Sequence, residues 1–202
     1  MPVGKEIRQE KKRLVVFDVE GVLIPKNRYL FFEVSRKMGV LKFLRMIIIG
    51  FLYEIGILSL ESALKKIFSM LKGLKTNEVF ELHKKIPLIP GTEKVAETLN
   101  KKGYIIALIS SGLPVQVVSY YANRLHATYA YGLELETAGD QLTGEIKGDV
   151  IKENGKAVVL EKILKKEKIT PNECVVVADD RNNLPMFPLC NLKIGYNPDF
   201  VL

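Results

Sequence analysis

Two carboxylates close an apolar run near the start of the chain, Leu14-Val15-Val16-Phe17-Asp18-Val19-Glu20-Gly21-Val22-Leu23. Side chains two apart on an extended strand point the same way, so Asp18 and Glu20 are expected to converge at the strand's end. Carboxylates that close repel, and their pairing calls for a cation or a catalytic use. Two later polar clusters also follow apolar runs: Ser110-Ser111-Gly112 after residues 104–109, and Asp179-Asp180 after residues 174–178. Lys156 stands between them, near the start of a helix predicted over residues 155–167. A carboxylate nucleophile can attack a phosphoryl group once a divalent cation and a fixed ammonium neutralise their repulsion. Phosphoryl transfer then depends chiefly on positioning and charge stabilisation. In this frame Asp18 is nucleophile and metal ligand. The backbone carbonyl of Glu20 and the carboxylate of Asp179 complete the protein's share of the metal shell. Ser110 and the backbone amides near it hold phosphate oxygens, and Lys156 supplies positive charge. Each feature alone is ordinary, a turn, a solvated lysine or a loop pair; their order along the chain joins them.

Such residues need elements to carry them. From Pro90 the chain alternates helix and strand: a helix over residues 93–102, a strand over 104–109, a helix from Pro114, and short strands over 129–148 around Ala138-Gly139-Asp140. The helix over 155–167 follows, then strands at 174–178 and 192–195. Strands separated by helices imply a parallel sheet with right-handed crossovers, and such sheets bind ligands at the carboxyl ends of their strands. Residues from about Arg28 to Ile86 read as helical throughout, with Ser59 and Thr76 as N-caps. Leu64, Ile67, Phe68, Leu71 and Leu74 form one stripe, and Val79, Phe80, Leu82 and Ile86 another. The expected fold is therefore α/β, a Rossmann-like parallel sheet core (residues 1–26 and 87–202) with an inserted all-helical cap (residues 27–86). The most apolar stretch, residues 41–60, is broken by Lys42, Arg45 and Glu54. It lacks the run of about 20 apolar residues that a span needs, so a packed helix is expected, and a surface touching an apolar substrate or a bilayer is the alternative.

A chain of 202 residues with 48% hydrophobic residues can bury a sizeable core. The net charge of +7 suits anionic partners. Basic residues are spread out, apart from residues 5–13, so nucleic acid is not favoured. The charged N-terminus has no apolar signal core, and Cys174 and Cys190 read as buried reduced thiols of a cytoplasmic protein. His83 and His126 lie in no motif and read as structural or surface residues.

Phe17-Asp18-Val19-Glu20-Gly21-Val22-Leu23, Ala107-Leu108-Ile109-Ser110-Ser111-Gly112, Lys152-Glu153-Asn154-Gly155-Lys156 and residues 177–187 together resemble the four motifs of the haloacid dehalogenase superfamily, in its phosphoserine phosphatase-like branch. Leu142-Thr143-Gly144-Glu145-Ile146-Lys147-Gly148 also resembles that branch's hairpin, and the similarity covers about residues 12–197. It implies a Mg²⁺-dependent phosphatase that hydrolyses a small phosphomonoester through an aspartyl-phosphate. Asp18, Glu20, Ser110 and Lys156 are then catalytic, with Ser111, Gly112 and Asn182 binding substrate and Asp18, Glu20 and Asp179 holding the metal. The departures are specific. Glu20 stands where the family's acid–base aspartate is usual, Asn183 replaces an aspartate of the fourth motif, and Asp180 a glycine. Asn27 occupies the place of an acidic residue that pairs with a substrate ammonium. Ile67, or Lys66 with a one-residue shift, occupies that of an arginine for a substrate carboxylate. The resemblance thus implies altered substrate recognition. The alternatives are a catalytically weakened phosphate-ligand binder or scaffold, and a membrane-surface or lipid-phosphate phosphatase.

Overall fold

The computed structural model describes residues 12–26 and 39–198. Asn27, the expected helix start near Arg28 and most of the basic N-terminal stretch lie outside them. The apolar run forms strand β1 (Arg13–Phe17). Its alternate residues divide between two cores: Leu14 and Val16 pack with Leu160 and Ile163, while Val15 and Phe17 pack with Ala96, Val117 and Val118. A strand apolar on both faces suits the middle of a parallel sheet covered by helices on both sides. The remaining strands are β2 (Tyr104–Pro114), β3 (Tyr129–Ala138), β4 (Gln141–Lys147), β5 (Cys174–Ala178) and β6 (Leu192–Gly195). Their order is β4-β3-β2-β1-β5-β6. All neighbours are parallel except β3 and β4, which form an antiparallel hairpin.

Three helices follow β1 with no named strand between them among the described residues: α1 (Val40–Glu54), α2 (Leu60–Ser69) and α3 (Thr76–Lys84). Helices α4 (Thr92–Lys101), α5 (Val115–Leu125) and α6 (Gly155–Glu167) alternate with the strands as expected. Ser59 caps α2, its hydroxyl oxygen accepting from the Ser62 amide at 3.2 Å. Thr76 does not cap α3. Lys75 is the N-cap, and the Thr76 hydroxyl and amide both donate to the Asp140 carbonyl, at 3.2 and 2.9 Å. The hairpin turn offers an acceptor that competes with a local cap. Two further backbone bonds stitch the same seam, Gly73 N to Leu142 O and Leu142 N to Leu74 O, each 2.9 Å.

Strand β2 outruns its expected end at Ile109. Its pairing with β1 stops at Leu108, but pairing with β3 resumes at Pro114 opposite Leu133 after an irregularity. Ser110-Ser111-Gly112 is therefore a gap in the ladder of an extended strand, not a turn. The segment 41–60 also departs from expectation: only Met46 of α1 is buried, and its far side is exposed. Cys174 and Cys190 are buried and free, and burial pushes the Cys174 thiol up to about 12. His83 is buried, and His126 closes α5 in a left-handed conformation.

Candidate active site

Asp18 follows the last residue of β1 and is 4% exposed. Its Oδ1 accepts from the Val19 amide at 2.7 Å. Its Oδ2 accepts from Lys156 Nζ and from Asn183 Nδ2, both at 2.7 Å. Lys156 is buried in the first turn of α6, and its ammonium also donates to Asn183 Oδ1 at 2.9 Å. Asn183 thus bridges the carboxylate and the ammonium, and its Nδ2 reaches Asp180 Oδ1 at 2.8 Å as well. An aspartate there would accept from Lys156 but set a second negative charge against Asp18. The amide holds both groups and adds no charge.

Asp179 follows β5 and is 1% exposed. Its Oδ1 has no hydrogen-bond partner among the described residues, while its Oδ2 meets Lys26 Nζ at 2.8 Å. A buried carboxylate left with an oxygen unpartnered is costly. Burial accordingly pushes Asp179 up to about 6, against the pull of Lys26. Ligand oxygens of Asp18, Asp179 and Asp180 lie within 4.8 Å of one another. Clustered hard oxygen donors, with Asp179 Oδ1 unpartnered, fit a cation of the Mg²⁺ kind. Gly21 makes this approach possible: its φ is +83°, and a Cβ there would stand 1.9 Å from Asp179 Oδ2. Asp180 does not simply face solvent. It caps the 3₁₀ turn Arg181–Leu189, accepting from the Asn182 amide at 3.0 Å, and burial raises its pKa, with Asp18 adding and Lys156 opposing.

Glu20 reaches the site by a turn, not by strand alternation. The amides of Leu23 and Ile24 both donate to the Val19 carbonyl, at 2.9 and 3.0 Å, so the chain folds back directly after Asp18. The Glu20 carboxylate lies outside the three-aspartate cluster and against Gly112, where a Cβ would stand 2.5 Å from Oε2. Burial, then the charge of Asp18, pushes Glu20 up to about 7, with Lys156 opposing.

The expected phosphate and substrate residues divide. Ser110 is buried, and its Oγ accepts from the Leu113 amide at 3.1 Å, so its hydroxyl can still donate elsewhere. Ser111 donates its proton to the Val150 carbonyl at 2.8 Å, which leaves its backbone as the group to offer a phosphate. The Asn182 side chain is committed: its Oδ1 accepts from Tyr53 OH, and its Nδ2 donates to Asp180 Oδ2 at 3.1 Å. Beside it Arg181 donates to the carbonyls of Tyr53 and Glu54, at 3.0 and 3.1 Å, and lies 4.9 Å from the Tyr53 ring centroid. A cation on the last carbonyls of a helix satisfies orphan acceptors and the dipole together. Sequence reading missed this clasp, because nothing local links residues 128 apart. Lys26 was passed over for the same reason.

A cleft leads to these groups between Tyr53, Leu58 and Leu60 on one side and Ser111, Lys156 and Leu184 on the other. Ile67 is half-buried against the core, and Lys66 is exposed and is not among the residues lining the cleft.

The family model for haloacid dehalogenase-like hydrolases matches residues 15–188. The phosphoserine phosphatase of Methanocaldococcus jannaschii is 33% identical over 93% of this chain and 87% of its own length. That of Archaeoglobus fulgidus is 32% identical over 95% of this chain, which spans 54% of that longer protein. A substrate-bound phosphoserine phosphatase structure superposes with a TM-score of 0.83 at 32% identity, covering 96% of this chain and 90% of that one. A phospho-aspartyl intermediate analogue of phosphoserine phosphatase gives 0.80 at 33% identity, over 92% and 87%. With its motifs carried on this sheet and meeting at one edge, the chain belongs to the haloacid dehalogenase-like hydrolases, in their phosphoserine phosphatase-like branch of phosphoric monoester hydrolases.

Proposed function

We propose that the protein hydrolyses a phosphomonoester through a phosphoenzyme on Asp18, with Mg²⁺ as its metal, residues 27–86 as a cap, and an alcohol portion other than a free amino acid. One observation carries the reading: a buried Asp18 held by Lys156 and Asn183, with the buried carboxylate of Asp179 close enough to share a cation with it. Asp18, Asp179 and Asp180 would hold the ion with the Glu20 carbonyl. When bound, it supplies positive charge that offsets the repulsion between Asp18 and the phosphoryl oxygens.

A carboxylate oxygen of Asp18 bonds to phosphorus while the ester oxygen leaves and takes a proton from Glu20. Water then attacks the phosphorus of the aspartyl-phosphate and gives its proton back to Glu20, so inorganic phosphate departs and Asp18 is restored. Lys156 holds Asp18 in line throughout, and the Ser110 hydroxyl with the backbone around Gly112 steadies the phosphate oxygens. Ile67, half-buried against the core where the resemblance places an arginine, supports a substrate unlike phosphoserine.

The test is turnover of an aryl phosphate and of phosphoserine, with and without Mg²⁺, by wild type and Asp18→Asn. Wild type should turn over the aryl phosphate only with Mg²⁺ and should prefer it to phosphoserine. Asp18→Asn should lose essentially all activity while melting as wild type does. Activity in Asp18→Asn, or activity that survives EDTA, would overturn the mechanism. Phosphate binding with no turnover by wild type would point to a scaffold instead.

A further inference from the structure

Helix α1 carries an apolar strip along the side it turns away from the fold. Leu41, Leu44, Ile48, Phe51 and Ile55 recur at alternating steps of three and four. Each is half or more exposed, from 50% at Leu44 to 67% at Leu41. The opposite side carries buried Met46. Helices apolar on all sides are normally enclosed, yet among the described residues nothing covers this strip. Arg45 is exposed beside the strip, Lys42 donates to the Met70 carbonyl at 3.3 Å on the other side, and the chain as a whole carries +7.

An exposed apolar strip beside Arg45, on a chain of net charge +7, suits a helix lying in the surface of an anionic membrane. No helix among the described residues is long and apolar enough to cross one. A second copy of the chain fits less well. A helix of 15 residues offers a face of roughly 22 by 10 Å, well short of the ~800 Å² per partner of a standard interface. Two heptads are also fewer than a coiled coil sustains. The strip is continuous with the site: beyond Ile55 the exposed Ile57 alternates with Gly56 and Leu58, which line the cleft together with Tyr53.

We propose that α1 beds this strip in the surface of an anionic bilayer and that the site takes its phosphomonoester from that surface, as a phosphorylated lipid headgroup. The chemistry rests on the phosphatase reading above. The ester P–O bond breaks, the phosphoryl group passes by way of Asp18 to water, and the lipid alcohol keeps the proton given by Glu20 and stays in the bilayer.

The experiment sediments the full chain with vesicles of phosphatidylcholine alone or mixed with phosphatidylglycerol, at low and high salt. In parallel it measures turnover of phosphatidic acid in those vesicles and of a soluble aryl phosphate. The variants are the triple Leu44→Ser, Ile48→Ser, Phe51→Ser and, with the strip intact, Arg45→Gln. Wild type should pellet with the anionic vesicles, less so in high salt. The triple variant should lose roughly tenfold in binding and in phosphatidate turnover, while its aryl phosphate turnover and melting temperature stay those of wild type. Arg45→Gln should lose part of the preference for anionic vesicles. Wild type left in the supernatant, or a triple variant that pellets equally, overturns the proposal. So does a wild-type dimer in equilibrium sedimentation that the triple variant abolishes. Aryl phosphate hydrolysed with phosphatidate untouched removes the lipid as substrate. Strip-dependent binding with neither phosphate hydrolysed leaves the bilayer contact standing and refutes the reaction instead.

Discussion

An amide at position 183 touches Asp18, Lys156 and Asp180 at once. Asn183→Asp would keep the acceptor for Lys156 but lose the bonds that Nδ2 donates to Asp18 and Asp180 and bring a third carboxylate into contact with two others. Without metal the variant should be less stable than wild type by ~2 kcal/mol. Added Mg²⁺ should then raise its melting temperature by more than it raises that of wild type, because binding to the folded state is linked to stability. Thermal melts in EDTA and across a Mg²⁺ titration give the comparison, and identical metal responses would put position 183 outside the ion's field. Asp18, Lys156 and Asp179 were legible in the sequence because each closes or opens a strongly apolar element, whose position the hydrophobic pattern dictates. The part played by Asn183 was not. Its residue type announces a missing charge, but which of its two polar atoms meets which neighbour depends on three separate segments. The same holds for Asp180, whose neighbours at the site include residue 18.

At the level of elements, α3 is held by groups that its stripe does not reveal. His83 is 2% exposed, and its Nδ1 shares a hydrogen bond with the Val79 carbonyl at 2.7 Å. Tyr121 of α5 donates to the His83 carbonyl at 2.9 Å and to that of Ile86 at 3.0 Å. Burial lowers the His83 pKa below its ordinary 6.5, so as pH falls the unfolded chain takes up the proton first. The stability from neutral, buried His83 is therefore present in full above about pH 6.5. Below that it is lost, by up to ~1.4 kcal/mol per pH unit until the folded-state pKa is passed. Denaturant unfolding of wild type and His83→Gln between about pH 7 and pH 5 should show a shallower loss in the variant, and parallel curves would mean that His83 does not couple to folding. Helix α6 and strands β5 and β6 fall where the sequence places them, because local periodicity and flanking turns decide their ends. Thr76 and the far half of β2 do not. In both cases a partner distant in sequence, the Asp140 carbonyl or Leu133, supplies the pairing that sets the boundary.

Across the whole molecule, the helices after β1 meet the rest of the fold at two further, unlike places besides the Tyr121 bonds to His83 and Ile86. At the end of α1, Arg181 and Asn182 clasp Tyr53 and Glu54 through polar contacts at the cleft. Arg181→Ala should speed amide exchange in the last turn of α1 by about tenfold and leave β1 and β5 protected as before. Hydrogen exchange read by mass spectrometry decides it, and unaltered exchange there would show that the clasp does not hold the helix. At the other place, Gly73, Leu74 and Thr76 are laced to residues 140–142 by backbone bonds. These attachments would yield unequally in any rotation of the helices: the seam, beside which α2 packs on β4, would be the line of turning, and the clasp at the end of α1 would be the contact that parts. A pull on α1 would then widen the cleft without ever touching the substrate.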